Sequence, residues 1–125
     1  MTEIKSFIQG VEIIKKNQIV DDRGIILHML RVDDKNYKKF GEIYFSTINP
    51  NKIKAWHFHK LMTLNYAVVH GSIKLVLYDD RDESKTKGTI QEIILSNENH
   101  YLVSIPPKIW NGFCSSDNKH AILAN

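Results

Sequence analysis

The sequence is poor in the features that most quickly betray a function. It holds one cysteine, Cys114, and three prolines in 125 residues. A lone thiol makes no internal disulfide, which suits a reducing compartment, and a cytoplasmic protein is expected. No apolar run approaches the roughly 18 residues of a membrane span, and no charged-then-apolar leader opens the chain, so no membrane partner is expected. Charge of one sign is not concentrated either. The 17 Lys and Arg against 14 Asp and Glu leave a net +3 spread along the chain. Without a basic stripe, a nucleic-acid partner is not expected, although a mild positive balance suits an anionic metabolite. There is no repeat, linker or low-complexity segment, and residues 1–125 read as one domain.

What is present is β-patterned. Residues 11–16, 24–31, 42–48, 53–59, 65–70, 72–78, 89–95 and 101–105 read as strands, with further pairings expected around Phe113 and 121–123. In 72–78, Ile73, Leu75 and Leu77 fall on one face. Asp21-Asp22-Arg23-Gly24 reads as a turn, Gly71 as a tight hairpin turn, and 81–88 as a polar loop. Residues 33–40 are polar with helical spacing and predict a short helix or turn. Many short strands with evenly spaced turns predict an all-β sandwich or barrel. The sequence stops at Asn125 directly after an apolar stretch, which leaves room for a truncated C-terminus.

The sharpest local feature is His57-Phe58-His59. On a strand, Ala55, His57 and His59 share one face while Trp56, Phe58 and Lys60 share the other. Aromatics of that size rarely face water, so both faces should be covered, one by the interior and one by a second sheet or subunit. A homodimer follows as an expectation. His70, His100 and His120 lie outside any motif and are expected at the surface.

The histidine spacing resembles the first cupin motif, H-x-H, four residues, Glu, six residues, Gly, with Leu64 at the Glu position and Gly71 in place. The second motif, P-x-G-x-x-H, would fall on residues 106–111, with Lys108 for its Gly and Asn111 for its His. Two of the four metal ligands are therefore replaced, and a site without a metal or other cofactor is expected.

Four blocks make the resemblance narrower. Asp21-Asp22-Arg23-Gly24 resembles the D-x-R-G block of the dTDP-4-keto-6-deoxyglucose 3,5-epimerases, and Lys54-Ala55-Trp56-His57 stands where they carry R-G-L-H. Asp80-Arg81 followed by Ser84, Thr86 and Gly88 resembles their D-x-R-x-x-S-x-T-x-G loop. Ile105-Pro106 to Asn111-Gly112-Phe113 resembles their I-P-x-G-F-x-H-G-F block. The sister 3,4-ketoisomerases carry R-G-F-H-A-H-K, which His57-Phe58-His59-Lys60 resembles more closely.

The resemblance implies a cupin-type jelly-roll barrel, a homodimer, and a nucleotide-linked 4-keto-6-deoxyhexose, with dTDP as its nucleotide, as substrate partner. It implies His57 as catalytic base, with His59 and Tyr44 beside it. It gives Arg23, Lys54 and Arg81 as candidates for the diphosphate, Trp110 or Tyr66 for the nucleotide base, and Asn111 at the position of the family's second histidine. The family's lysine falls near Leu64, and its terminal-strand tyrosine has no counterpart at 121–124. Two other readings stay open: a sugar-nucleotide-binding cupin without catalysis, and a divergent metal cupin using His57 and His59.

Overall fold

The computed structural model describes residues 3–125. Among them are eleven strands and no helix: β1 (Glu12–Lys15), β2 (Gln18–Asp21), β3 (Gly24–Leu27), β4 (Phe45–Ile48), β5 (Ile53–His57), β6 (Leu64–His70), β7 (Ser72–Tyr78), β8 (Ile90–Ser96), β9 (Tyr101–Ile105), β10 (Trp110–Ser115) and β11 (Ala121–Ala124). One sheet runs β1-β9-β6-β11-β4 and a second runs β5-β10-β7-β8. Their inner faces meet in one core, as the expected all-β jelly roll requires.

Alternation builds that core. Ile73, Leu75 and Leu77 of β7 are fully buried, and Leu95, Ile93 and Gln91 of β8 lie opposite them in register. From the other sheet, Leu64 and Tyr66 pair with Ile105 and Val103. Each such aliphatic side chain contributes roughly 1.5–3 kcal/mol on burial. Gln91 is the polar exception. It accepts from the Phe7 N–H and donates to the Lys5 carbonyl, at 2.8 and 2.6 Å, lashing the N-terminal segment to the sheet. Gly71 joins β6 to β7 with φ +78°, and a Cβ there would lie 2.6 Å from the His120 carbonyl oxygen, so the turn admits only glycine.

Residues 33–40 form turns rather than a helix. The Asp34 N–H donates to the Arg31 carbonyl and the Tyr37 N–H to the Asp34 carbonyl, both at 3.1 Å. The segment offers no apolar stripe whose burial would extend those turns. His100 is not at the surface as expected but buried, its Nε2 2.5 Å from the His28 carbonyl oxygen.

β2 and β3 form a hairpin hydrogen-bonded to neither large sheet. It leaves Ile19, Val20, Ile25 and Ile26 exposed, and the edge strands β4 and β5 likewise expose Phe45, Ile53 and Trp56. Among the described residues nothing covers Trp56, 55% exposed, whereas Phe58 packs on Trp110. A two-stranded hairpin alone is marginal in water, so its apolar faces call for a partner surface.

Candidate functional site

The starts of β4, β6 and β10 and the ends of β5 and β11 meet at one end of the sandwich, and the site candidates collect there. His57 closes β5, directly opposite Asn111 of β10, which in turn lies opposite Leu77. Residues opposed across an antiparallel pair share a face. Leu77 and Asn111 are fully buried, so His57 turns inward beside them, itself half-buried.

The β5–β10 register then slips, and Phe113 pairs with Lys54. This bulge changes which residues share the face of His57. Simple alternation groups His57 with Ala55 and puts Lys54 behind. In the structure Lys54 joins Phe113 on the inward side, and its Nζ reaches across to Ser46 Oγ of β4 at 3.0 Å. Gly112 permits the slip: a Cβ there would stand 2.6 Å from the Ala55 Cβ. His59 is not on the strand, which ends at His57. Its carbonyl oxygen accepts the Lys108 N–H at 2.7 Å. The bulge thus brings Lys54, itself exposed, to the face of His57, while His59 follows the end of the strand.

The opposite wall carries two phenols. Tyr66 of β6 is buried and donates to Asn111 Oδ1 at 3.1 Å, with its ring edge-on to Phe113. Burial pushes the Tyr66 phenol well above its ordinary pKa, and nearby Tyr44 adds to the rise, so Tyr66 stays a neutral donor. Tyr44 stands just before β4, and its oxygen accepts from Asn125 Nδ2 at 2.8 Å. Asn111 Nδ2 and Asn65 Oδ1 are buried without a hydrogen-bond partner among the described residues. Neither Tyr66 as a wall of the site nor Asn125 follows from any motif. The inward parity of Tyr66 with Leu64 and Val68 was the available signal for the first.

The other candidates lie outside this inward cluster. Arg81 is held in a brace just beyond β7. Its Nε donates to Asp79 Oδ1 at 2.9 Å, and its Nη2 to Asp79 Oδ2 at 3.0 Å and to the Gln9 carbonyl at 2.6 Å. Ser84 and Thr86 complete the ring around Asp79 Oδ2 at 2.5 and 2.7 Å. The Arg81 guanidinium holds the buried Asp79 carboxyl far below the usual carboxylate range, helped by the two hydroxyls against the opposing effect of burial. Asp79, rather than Asp80, thus stands as the acid of that D-x-R loop motif, and it braces Arg81. Trp110 neighbours Asn111 in sequence and so faces outward, where it packs on Phe58 with ring centres 4.6 Å apart, lining an open cleft with Lys108 and Arg81. Arg23 sits exposed at the β2–β3 turn, its Nη2 2.7 Å from Asp21 Oδ2. Among the described residues, no group of three or more His, Cys, Asp or Glu side chains gathers as a metal centre would require.

Comparison with known proteins points to one family. Residues 5–124 match the family described as dTDP-4-dehydrorhamnose 3,5-epimerase. A spore coat polysaccharide biosynthesis protein of Bacillus subtilis is 33% identical over 106 residues, covering 85% of this chain and 70% of its own. A probable low-salt glycan biosynthesis epimerase of Haloferax volcanii is 29% identical over 120 residues, 94% of this chain and 77% of its own. The crystal structure of a dTDP sugar isomerase from Desulfovibrio desulfuricans superposes with a TM-score of 0.93 at 40% identity, covering 98% of this chain and 79% of that one.

Proposed function

Because the chain belongs to the dTDP-4-dehydrorhamnose 3,5-epimerase family, we propose that it epimerises a dTDP-linked 4-keto-6-deoxyhexose by enolisation through His57. The observation that carries this reading is the disposition of His57 on one wall and the Tyr44 and Tyr66 phenols on the other. A ketone acidifies the C–H beside it, and a neutral imidazole is a base matched to neutral pH. His57 takes that proton and an enolate forms. Tyr44 then gives its phenolic proton to the opposite face of the same carbon, and the ketone returns with the centre inverted. Groups on opposite walls suit inversion. Moving the ketone to the next carbon calls for two acid–base groups on one side, and His59 lies beyond the end of β5.

Lys54, inward and level with Phe113, is the cation of this wall for the diphosphate. The exposed hairpin suggests a homodimer in which β2 and β3 of one copy cover the apolar edge strands of the other. In that arrangement Arg23 serves the partner's site. We place the enzyme in the cytoplasm, where Cys114 stays reduced.

Proton NMR in deuterated water with dTDP-4-keto-6-deoxyglucose tests the reading. Deuterium should enter at C3, at C5 or at both, and His57→Asn should slow this by about 10³-fold. Deuterium at C3 with a new 3-keto product would replace epimerisation by ketone transfer. Nucleotide binding without exchange would leave a binding module.

A further inference from the structure

Tyr44 is held by one residue through three hydrogen bonds. The Tyr44 N–H donates to the Asn125 carbonyl at 3.1 Å, and the Asn125 N–H donates to the Tyr44 carbonyl at 3.0 Å. The side chain adds the third, from Asn125 Nδ2 to the Tyr44 oxygen at 2.8 Å. The amide has no freedom to turn over. Its Oδ1 accepts the Asn65 backbone N–H at 2.8 Å, and a backbone N–H can only donate. Nδ2 is thereby fixed on the phenol.

Two consequences follow. The Tyr44 oxygen receives a proton donor from the Asn125 side, so its own O–H must point elsewhere, and among the described residues it finds no acceptor. On the same wall, Tyr66 donates to Asn111, which lies opposite His57. Second, when Tyr44 gives its proton to carbon, negative charge appears on an oxygen that already faces an N–H donor. A donor set in place before the charge forms stabilises it without rearrangement.

We propose that Asn125 is a positioning residue for the reaction: it aims the Tyr44 hydroxyl at the substrate and stabilises the phenolate left after proton transfer. The proposal rests on the reading of Tyr44 as proton donor. The proton that leaves Tyr44 ends on the substrate carbon, the proton removed by His57 stays on the imidazole, and exchange with water restores both groups. No other reactant is needed.

Asn125→Asp is the informative variant. It keeps the shape and an oxygen for the Asn65 N–H but sets a carboxylate oxygen where the N–H donor was. It should lower kcat by about 10- to 100-fold while KM stays within twofold. Tyr44→Phe should lose at least as much, and Tyr44→Phe combined with Asn125→Asp should be no slower than Tyr44→Phe alone, since one acts through the other. Asn125→Ala, which retains the backbone pairing, guards against a folding defect peculiar to the new charge and should fall in kcat likewise. Unchanged kcat in both Asn125 variants, with Tyr44→Phe impaired, overturns this inference and leaves the proposed function standing. Multiplicative losses in the double variant overturn it as well. A Tyr44→Phe enzyme as fast as the wild type, or a wild type without exchange, overturns the reading of Tyr44 and this inference together.

Discussion

Two polar clusters lie at the same end of the sandwich, and they are built to opposite rules. Around Asp79 both carboxylate oxygens are saturated: Oδ1 accepts the Arg81 backbone N–H and Nε, and Oδ2 accepts Arg81 Nη2, Ser84 Oγ and Thr86 Oγ1. Around Asn111 the bonding stops half-way. Tyr66 satisfies Oδ1 while, among the described residues, Nδ2 is left with no partner. A buried polar group without a partner costs about 1–3 kcal/mol, and native interiors leave few. The chain saturates a full negative charge at Asp79 yet leaves a neutral amide wanting at Asn111. Closed polar clusters hold a fold together, whereas the open one retains bonding capacity for another molecule.

The sharpest way to break this comparison is to open the closed cluster. Asp79→Ala would strand Arg81, whose side chain is 22% exposed, without its counter-charge. Removing one partner of a largely buried pair costs about 3–5 kcal/mol. The melting temperature should drop on the order of 10–20 °C. The kcat of the protein that remains folded should stay within about threefold of wild type, the size of a sub-kcal/mol change. A variant with intact melting but collapsed kcat would return Arg81 to the substrate and dissolve the contrast.

Acid titration asks the same question more gently. The Asp79 carboxyl is depressed in the folded state relative to 3.8, chiefly by Arg81. A depressed carboxylate contributes stability that is present above its unfolded pKa and lost as pH falls through the folded one. Melting temperature should therefore be flat near neutrality and decline below about pH 4, the ordinary range where carboxylates titrate. In Asp79→Asn the acid decline should be shallower. Equal declines in both proteins would mean that some other carboxylate carries the acid sensitivity.

Much of the frame was legible because it depends on neighbours in sequence. Ile73, Leu75 and Leu77 alternate, Gly71 turns the hairpin, and the turn at Asp21–Gly24 does join two strands, as local chemistry dictates. The site was legible only in its residue types. Lys54 shares a face with His57 because β10 slips by one residue against β5 at Gly112, and nothing within residues 53–59 encodes that slip. The same dependence on a partner strand ends β5 before His59. His100 looked like a surface histidine because its acceptor, the His28 carbonyl, lies 72 residues away. Tyr66 meets Asn111 across 45 residues and Asn125 meets Tyr44 across 81. Local periodicity specifies which residues point inward, but the partners they meet there are set by sheet order.

The smallest effect tests the open cluster from within. Tyr66→Phe removes one hydroxyl and keeps the ring that stands edge-on to Phe113. Asn111 would then lack partners on both ends of its amide, yet a phenol as strongly buried as Tyr66 is itself costly to keep, so the two changes partly cancel. We expect a stability change of about 1 kcal/mol or less, against the several lost at Asp79. The amide, no longer held by its oxygen, is free to rotate beside His57. The rate of substrate deuteration should fall by about 3- to 10-fold with little change in KM. That pairing of a small stability cost with a catalytic one is the reverse of the Asp79→Ala outcome. If Tyr66→Phe instead melts far below the wild type and turns over normally, the Asn111 cluster is a structural brace like the other, and its vacant donor has no catalytic meaning.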